Sequence, residues 1–192
     1  MKIKRKENGF TTLEILIAIT ILVIVFTLVT VMYVRGSRIR NIVVAYNEVG
    51  EVLTQMTDVI INGRKKFIGK DIPGLKFVKK IDNTAQGNKL VYSDGVNPQT
   101  FIFEIKPETK DDTSLYFNNT SLDPNKKVII LENSRFEYYY ADGSLKKDDQ
   151  TNTDTITYVK IIFYGKSNLP AMKKMTPIKI ETGVRLKNSL SF

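Results

Sequence analysis

The sequence predicts an α+β fold: a long N-terminal helix, first membrane-spanning and then amphipathic, packed on a C-terminal antiparallel β-sheet domain. Three observations predict it. Between Ile15 and Val34 no residue is charged. From Ile39 to Ile60 the apolar residues recur at helical spacing, and from Leu75 onward the period shifts to two. The chain divides accordingly into a basic leader over 1–9, a membrane or assembly-core helix over 10–34, an amphipathic continuation over 35–66, and a sheet domain over 67–192.

The leader carries Lys2, Lys4, Arg5 and Lys6, then Glu7, Asn8, Gly9 and Phe10. The charge-free run that follows rises roughly 30 Å as a helix, enough to cross the hydrocarbon core of a bilayer. A cleaved secretory signal has an apolar region of only about 7–15 residues before a small-residue site. This run is longer and no such site follows it, so it is expected to remain as an anchor. Arg35, Arg38 and Arg40 flank its far end, which leaves the positive-inside rule close to a tie. Export of the distal part is favoured because that part reads as a folded domain. Glu14 is anomalous, because a carboxylate at the edge of an apolar run is costly unless paired. Its simplest role is to favour a helix N-terminus through the macrodipole.

The string Lys6-Glu-Asn-Gly9-Phe10-Thr-Thr-Leu13-Glu14-Ile15, running on into the apolar helix, resembles the N-terminus of type IV prepilins and type II secretion pseudopilins. The resemblance implies cleavage after Gly9 by a membrane peptidase on the cytoplasmic side, and methylation of the new N-terminus at Phe10. It implies that Glu14 is kept in the bilayer to complement the terminal amine of a neighbouring subunit. The implied partners are other pilins or pseudopilins, the prepilin peptidase and methyltransferase, an inner-membrane assembly platform and the lipid bilayer. The implied location is the bacterial inner membrane, single-pass, with the C-terminal domain exported and built into an extracytoplasmic filament.

Beyond Gly36, residues Ile39, Ile42, Tyr46, Val49, Leu53, Met56 and Ile60 paint one stripe along a helix. No proline precedes Pro73, so one helix from about Thr11 to Asn62, roughly 75–80 Å long, is expected. The stripe fits either a partner helix or the chain's own sheet, and its length of about three heptads favours the sheet. Gly63 is placed to end the helix in the left-handed conformation, with Arg64, Lys65 and Lys66 suiting the negative end of the dipole. The segment from Gly63 to Asp71 superficially resembles a phosphate loop. It has five residues between its glycines where four are needed, and it follows a helix, so that reading is rejected.

Strands are expected over Lys76–Ile81, Lys89–Tyr92, Thr100–Ile105, Ser114–Phe117, Lys127–Leu131, Arg135–Tyr140, Thr155–Tyr164 and Pro177–Leu186. Turn signals separate several of them, at Asp94-Gly95, Asp123-Pro124-Asn125 and Asp142-Gly143. The closing stretch Ile178 to Asn188 resembles, within the same family, minor subunits of the J/W type.

Composition bounds the chemistry. The 192 residues include no Cys and no His, which excludes disulfides, thiolate and imidazole metal sites and histidine acid–base catalysis. The net charge of +9 is concentrated near the apolar run. From Phe67 onward 19 Lys and Arg face 15 Asp and Glu, a net of +4, which is thin support for nucleic acid as a partner. Asp148, Asp149 and Asp154 lie in a loop that does not match a calcium-binding spacing, and no cofactor or metal is expected. Asn118-Asn-Thr120 and Asn119-Thr-Ser121 fit a glycosylation pattern that arises often by chance. The leading expectation is a non-catalytic structural subunit of a pilus or secretion-type filament. The alternatives are a tip adhesin or DNA-binding minor pilin, and an unprocessed single-pass protein with a sensory β domain.

Overall fold

The computed structural model describes residues 11–67, 70–78, 80–81, 87–93, 100–107, 113–147, 156–169, 172 and 174–186. Two compact units divide the chain, Met1–Val43 and Val44–Phe192. Thr12–Asn62 form a single helix, α1, of 51 residues, close to the span expected from the absence of proline.

The first unit is helix alone, with every described residue exposed. Hydroxyls inside its apolar run are satisfied locally. Thr20, Thr27 and Thr30 each donate to the carbonyl four residues back, Leu16, Val23 and Phe26, at 2.8 Å. This back-bonding leaves none of these three threonine hydroxyls seeking water, which suits a helix in an apolar medium.

The second unit begins with the last turns of α1. Ala45, Val49, Leu53, Met56, Thr57, Val59 and Ile60 are buried there. Four stripe residues, Val49, Leu53, Met56 and Ile60, thus pack into the chain's own core, as the favoured reading of packing on its own sheet expected. Ile39 and Ile42, in the first unit, are 62% and 36% exposed.

The helix stops at Asn62 because Gly63 takes φ 77, and a Cβ at Gly63 would lie 2.3 Å from the Ile72 carbonyl oxygen. The continuation expected to 66 instead turns into a hairpin that the period-two signal did not mark: β1 (Gly63–Phe67) and β2 (Lys70–Pro73), antiparallel, with Gly63 opposite Pro73. Gly74 closes it against the helix end, where a Cβ would meet Asn62 C at 2.3 Å. A strand was expected over Lys76–Ile81, but Leu75–Phe77 is a 3-10 turn whose Leu75 is fully buried. Only β3 (Lys80–Ile81) remains of it.

The remaining strands are β4 (Lys89–Ser93), β5 (Thr100–Pro107), β6 (Thr113–Phe117), β7 (Thr120–Ser121), β8 (Val128–Ile130), β9 (Arg135–Tyr140), β10 (Ile156–Ser167) and β11 (Ile178–Arg185). Together with β3 they form one antiparallel sheet in the order β11-β10-β8-β6-β5-β4-β3, with β7 beside β6 and β9 beside β10. The run from β3 to β6 is a meander of neighbours. β8 and β9 share one edge of β10: Val128–Ile130 pairs with its C-terminal end and Arg135–Tyr140 with its N-terminal half. The intervening turn is held by Ser134, whose Oγ accepts from Tyr164 N at 2.8 Å, while Leu131 N donates to Tyr164 O at 2.8 Å.

Alternation sorts the faces. Phe101, Phe103 and Ile105, Phe136, Tyr138 and Tyr140, and Val159, Ile161 and Phe163 all point inward, as the sequence pattern predicts. Tyr92, Phe101, Phe103 and Phe117 form an aromatic cluster with centroids 5.0–6.2 Å apart. Two buried phenols are tied to backbone, Tyr92 donating to Pro73 O at 2.6 Å and Tyr138 to Lys89 O at 2.9 Å, whereas the buried Tyr140 hydroxyl has no partner among the described residues. Burial pushes the Tyr92 phenol well above its usual pKa. Gly165 lets the sheet approach α1 closely, since a Cβ there would lie 2.9 Å from Leu53 Cδ1.

Candidate functional site

The N-terminal site is built on the first turn of α1. Gly9 and Phe10, the expected cleavage and methylation positions, lie outside the described residues. Glu14 lies within them, and its surroundings show a feature that macrodipole reasoning missed. Thr11 N and Thr11 Oγ1 both donate to Glu14 Oε2, at 2.8 and 2.9 Å, and Glu14 N donates back to Thr11 Oγ1 at 3.3 Å. Thr11-x-x-Glu14 is therefore a capping box, in which the side chains at the two ends of the turn satisfy each other's backbone N–H groups. The pattern was visible in the sequence. Both Thr11 donors converge on Oε2, and no bond to Glu14 Oε1 is formed among the described residues.

Beyond Glu14 the helix presents apolar side chains in all directions. Leu13, Leu22, Phe26 and Met32 are 68–74% exposed, so no stripe is reserved for the chain's own core. A helix apolar all round is suited to lipid or to other helices. By length and composition this helix can cross a membrane. Immediately beyond the run stand Arg35, Arg38 and Arg40, with exposed Ile39, Ile42 and Val43 between and after them.

A second candidate lies in the sheet domain. An open groove of about 330 Å³ runs between α1 and the loop that joins β7 to β8. Val52, Met56, Val59 and Leu122 supply its apolar surface, and Glu48, Glu51, Asp123, Arg64 and Lys127 its charges. Asp123 is buried because its carboxylate caps the loop, accepting from Val128 N at 2.9 Å. Lys127 Nζ bridges to Glu48 Oε1 at 2.7 Å, and this bond holds the ammonium above its usual pKa. Glu48 and Lys127 are brought together only by the fold, so no local pattern marks the groove.

The face of β9, β10 and β11 turned away from α1 carries a charge ladder. Arg135 pairs with Glu137 at 2.6 Å, Lys160 with Glu181 at 2.6 Å and with Glu137 at 3.9 Å, and Lys179 pairs with Glu181. Hydrogen bonds from Lys160 and Lys179 bring the Glu181 carboxyl down to about 2. For Glu137, burial works upward, but hydrogen bonds from Arg135 and Tyr139 outweigh it and the net shift is downward. Tyr139 and Tyr158 meet at 5.7 Å, so two half-exposed rings stand on this face. Its cations are mostly neutralised within the ladder, which counts against a bare basic platform.

Other expectations resolve simply. The Gly63–Asp71 segment, rejected as a phosphate loop, is the β1–β2 hairpin. Asn118 and Asn119 form a tight left-handed turn at φ 45 and 68, with the Asn118 carboxamide accepting from Ile102 N at 2.9 Å. Asp148, Asp149 and Asp154 lie outside the described residues. Among the described residues no cluster of three or more acidic side chains is placed to hold a metal ion.

No family model matches the chain, and no solved structure matches it. It is similar to the DNA mismatch repair protein MutL of Thermosipho melanesiensis, 26% identical over 142 residues. That match covers 73% of this chain and 24% of the relative, so the chain spans about a quarter of the length of the relative it matches.

Proposed function

We propose that the chain is the precursor of a filament subunit of the type IV pilin and type II secretion pseudopilin kind, with a structural rather than catalytic role. In this reading Gly9–Phe10 is the processing site and the apolar part of α1 is held in the inner membrane. The domain from Val44 onward is exported and the mature chain is drawn into a filament. One observation carries the reading: a single carboxylate, Glu14, at the mouth of a helix that is charge-free from Ile15 to Val34, directly behind a basic leader ending in Gly9-Phe10. A new α-amine at Phe10 gives that carboxylate a cationic partner where few waters compete. In this reading that partner comes from a neighbouring subunit.

The test is the mass of the mature N-terminus. A chain that begins at methylated Phe10 is expected, and one that retains Met1 in a host with an active prepilin peptidase overturns the reading. Glu14→Val should leave cleavage intact while reducing incorporation into filaments. DNA contact is the second reading, favoured by the 26% identity to a DNA mismatch repair protein. The self-paired ladder on the sheet's outer face makes it the weaker one, and salt-sensitive DNA binding by the full chain would revive it.

A further inference from the structure

We propose that the groove between α1 and the β7–β8 loop receives the Arg35–Val43 segment of a second copy of the chain. The inference rests on the filament-subunit reading and names where one subunit grips the next. Two surfaces lack cover, and they match. Arg35, Arg38 and Arg40 bring three cations, with no acidic residue anywhere between Glu14 and Glu48. Ile39, Ile42 and Val43 among them are 62%, 36% and 50% exposed, although they lie past the twenty-residue run that a bilayer would cover.

The groove offers the complement. Met56 and Val52 give it an apolar wall, and Glu48 and Glu51 set carboxylates beside that wall. Counting Asp123, Arg64 and Lys127, its lining carries a net charge of −1 in a chain of +9. The existing Lys127–Glu48 bridge is exposed on both sides, at 47% and 38%, and such pairs hold little in place. An arriving guanidinium, able to bond a carboxylate bidentately, can take Glu48 over from the lysine.

The contact joins different surfaces on the two copies. One copy therefore keeps an unused groove and the other an unused segment after pairing. Such a heterologous interface propagates along an open assembly instead of closing at a dimer, as a filament requires.

The chain has no cysteine, which makes disulfide trapping unambiguous. Two full-length copies would be produced together in membranes, a tagged Ile39→Cys chain and an untagged Gln55→Cys chain, and mildly oxidised. Mixed dimers are expected to exceed either like-with-like dimer severalfold. Glu51→Arg on the groove copy should lower the mixed product severalfold, and Arg38→Glu on the segment copy should restore it. Copies carrying Leu22→Cys report packing of the apolar helices independently. If Leu22→Cys copies cross-link and the N-terminus is methylated Phe10, but no mixed dimer forms, the groove is the wrong site and the filament reading stands. If neither processing nor Leu22 cross-linking occurs, the filament reading has failed and takes this proposal with it. A mixed dimer indifferent to both charge changes overturns the charge-matched seating.

Discussion

Thr11 and Glu14 hold the start of α1 by exchanging hydrogen bonds, so each can be tested for what it does apart from the other. Thr11→Val removes the cap oxygen and should cost the first turn about 0.5–2 kcal/mol. Hydrogen exchange in detergent micelles should then quicken at the Glu14 amide, which Thr11 Oγ1 accepts from in the structure, and leave amides beyond Thr20 unchanged. Unaltered exchange at Glu14 would show that the turn does not need its cap. At the other end of α1 the decisive residue is Gly74. Its φ of −76 is open to any residue, so conformational freedom is not why it is glycine. A Cβ would instead press into backbone, 2.3 Å from Asn62 C and 2.4 Å from Gly63 N. Gly74→Ala should therefore destabilise by about 1–3 kcal/mol, the range for overpacking, seen as a lowered urea midpoint with an unchanged slope.

Within α1, burial divides the stripe into a part that supports the fold and a part left for others. Leu53 is fully buried and faces Gly165, so Leu53→Ala should cost about 2–5 kcal/mol. Ile39→Ala, on the exposed part, should stay within about 0.5 kcal/mol of the parent in the same denaturant titration. On β9 to β11 the ladder sets a pH dependence. Glu181 is held at about 2 in the folded chain, against an ordinary value of 4.5. The deprotonated form is the one that the fold favours, so this contribution is full above about pH 4.5 and is lost as pH falls towards 2. Glu137 shifts in the same direction. Melting temperature in micelles should fall over that window, and Glu181→Gln should flatten the fall; a parallel decline in both chains would assign it elsewhere. These elements also show what the chain disclosed in advance. The strands with strict alternation, such as Phe101-x-Phe103-x-Ile105, were legible because one face is buried and one wet. The β1–β2 hairpin was not, because Gly63-Arg-Lys-Lys-Phe has no apolar alternation and is fixed by two glycines against a helix end. The ladder and the groove depend on register and on residues 48 and 127 meeting, neither of which a local pattern encodes.

The whole molecule is made of two units with different surface chemistry. Among the described residues, the buried core runs from Val49 to Leu186 and lies within the unit Val44–Phe192. The exposed apolar residues from Leu13 to Val34 belong to the other unit. Hydrophobic burial is what holds a domain of this size, and among the described residues it is supplied from Val44 onward. A chain starting at Val44 should therefore be soluble without detergent, show the β-sheet signal of circular dichroism, and unfold cooperatively. The full chain should require a membrane or detergent to stay dispersed. The shortened α1 retains Val49, Leu53, Met56 and Ile60, the side chains that cover the sheet, which is why the cut belongs before Ala45 and not after it. A cut that also removed Leu53 should give an aggregating chain, since it would uncover Phe103 and the rest of the inner face. If the Val44 chain itself aggregates or melts without cooperativity, the apolar run does support the domain, and the separation of roles along α1 is wrong.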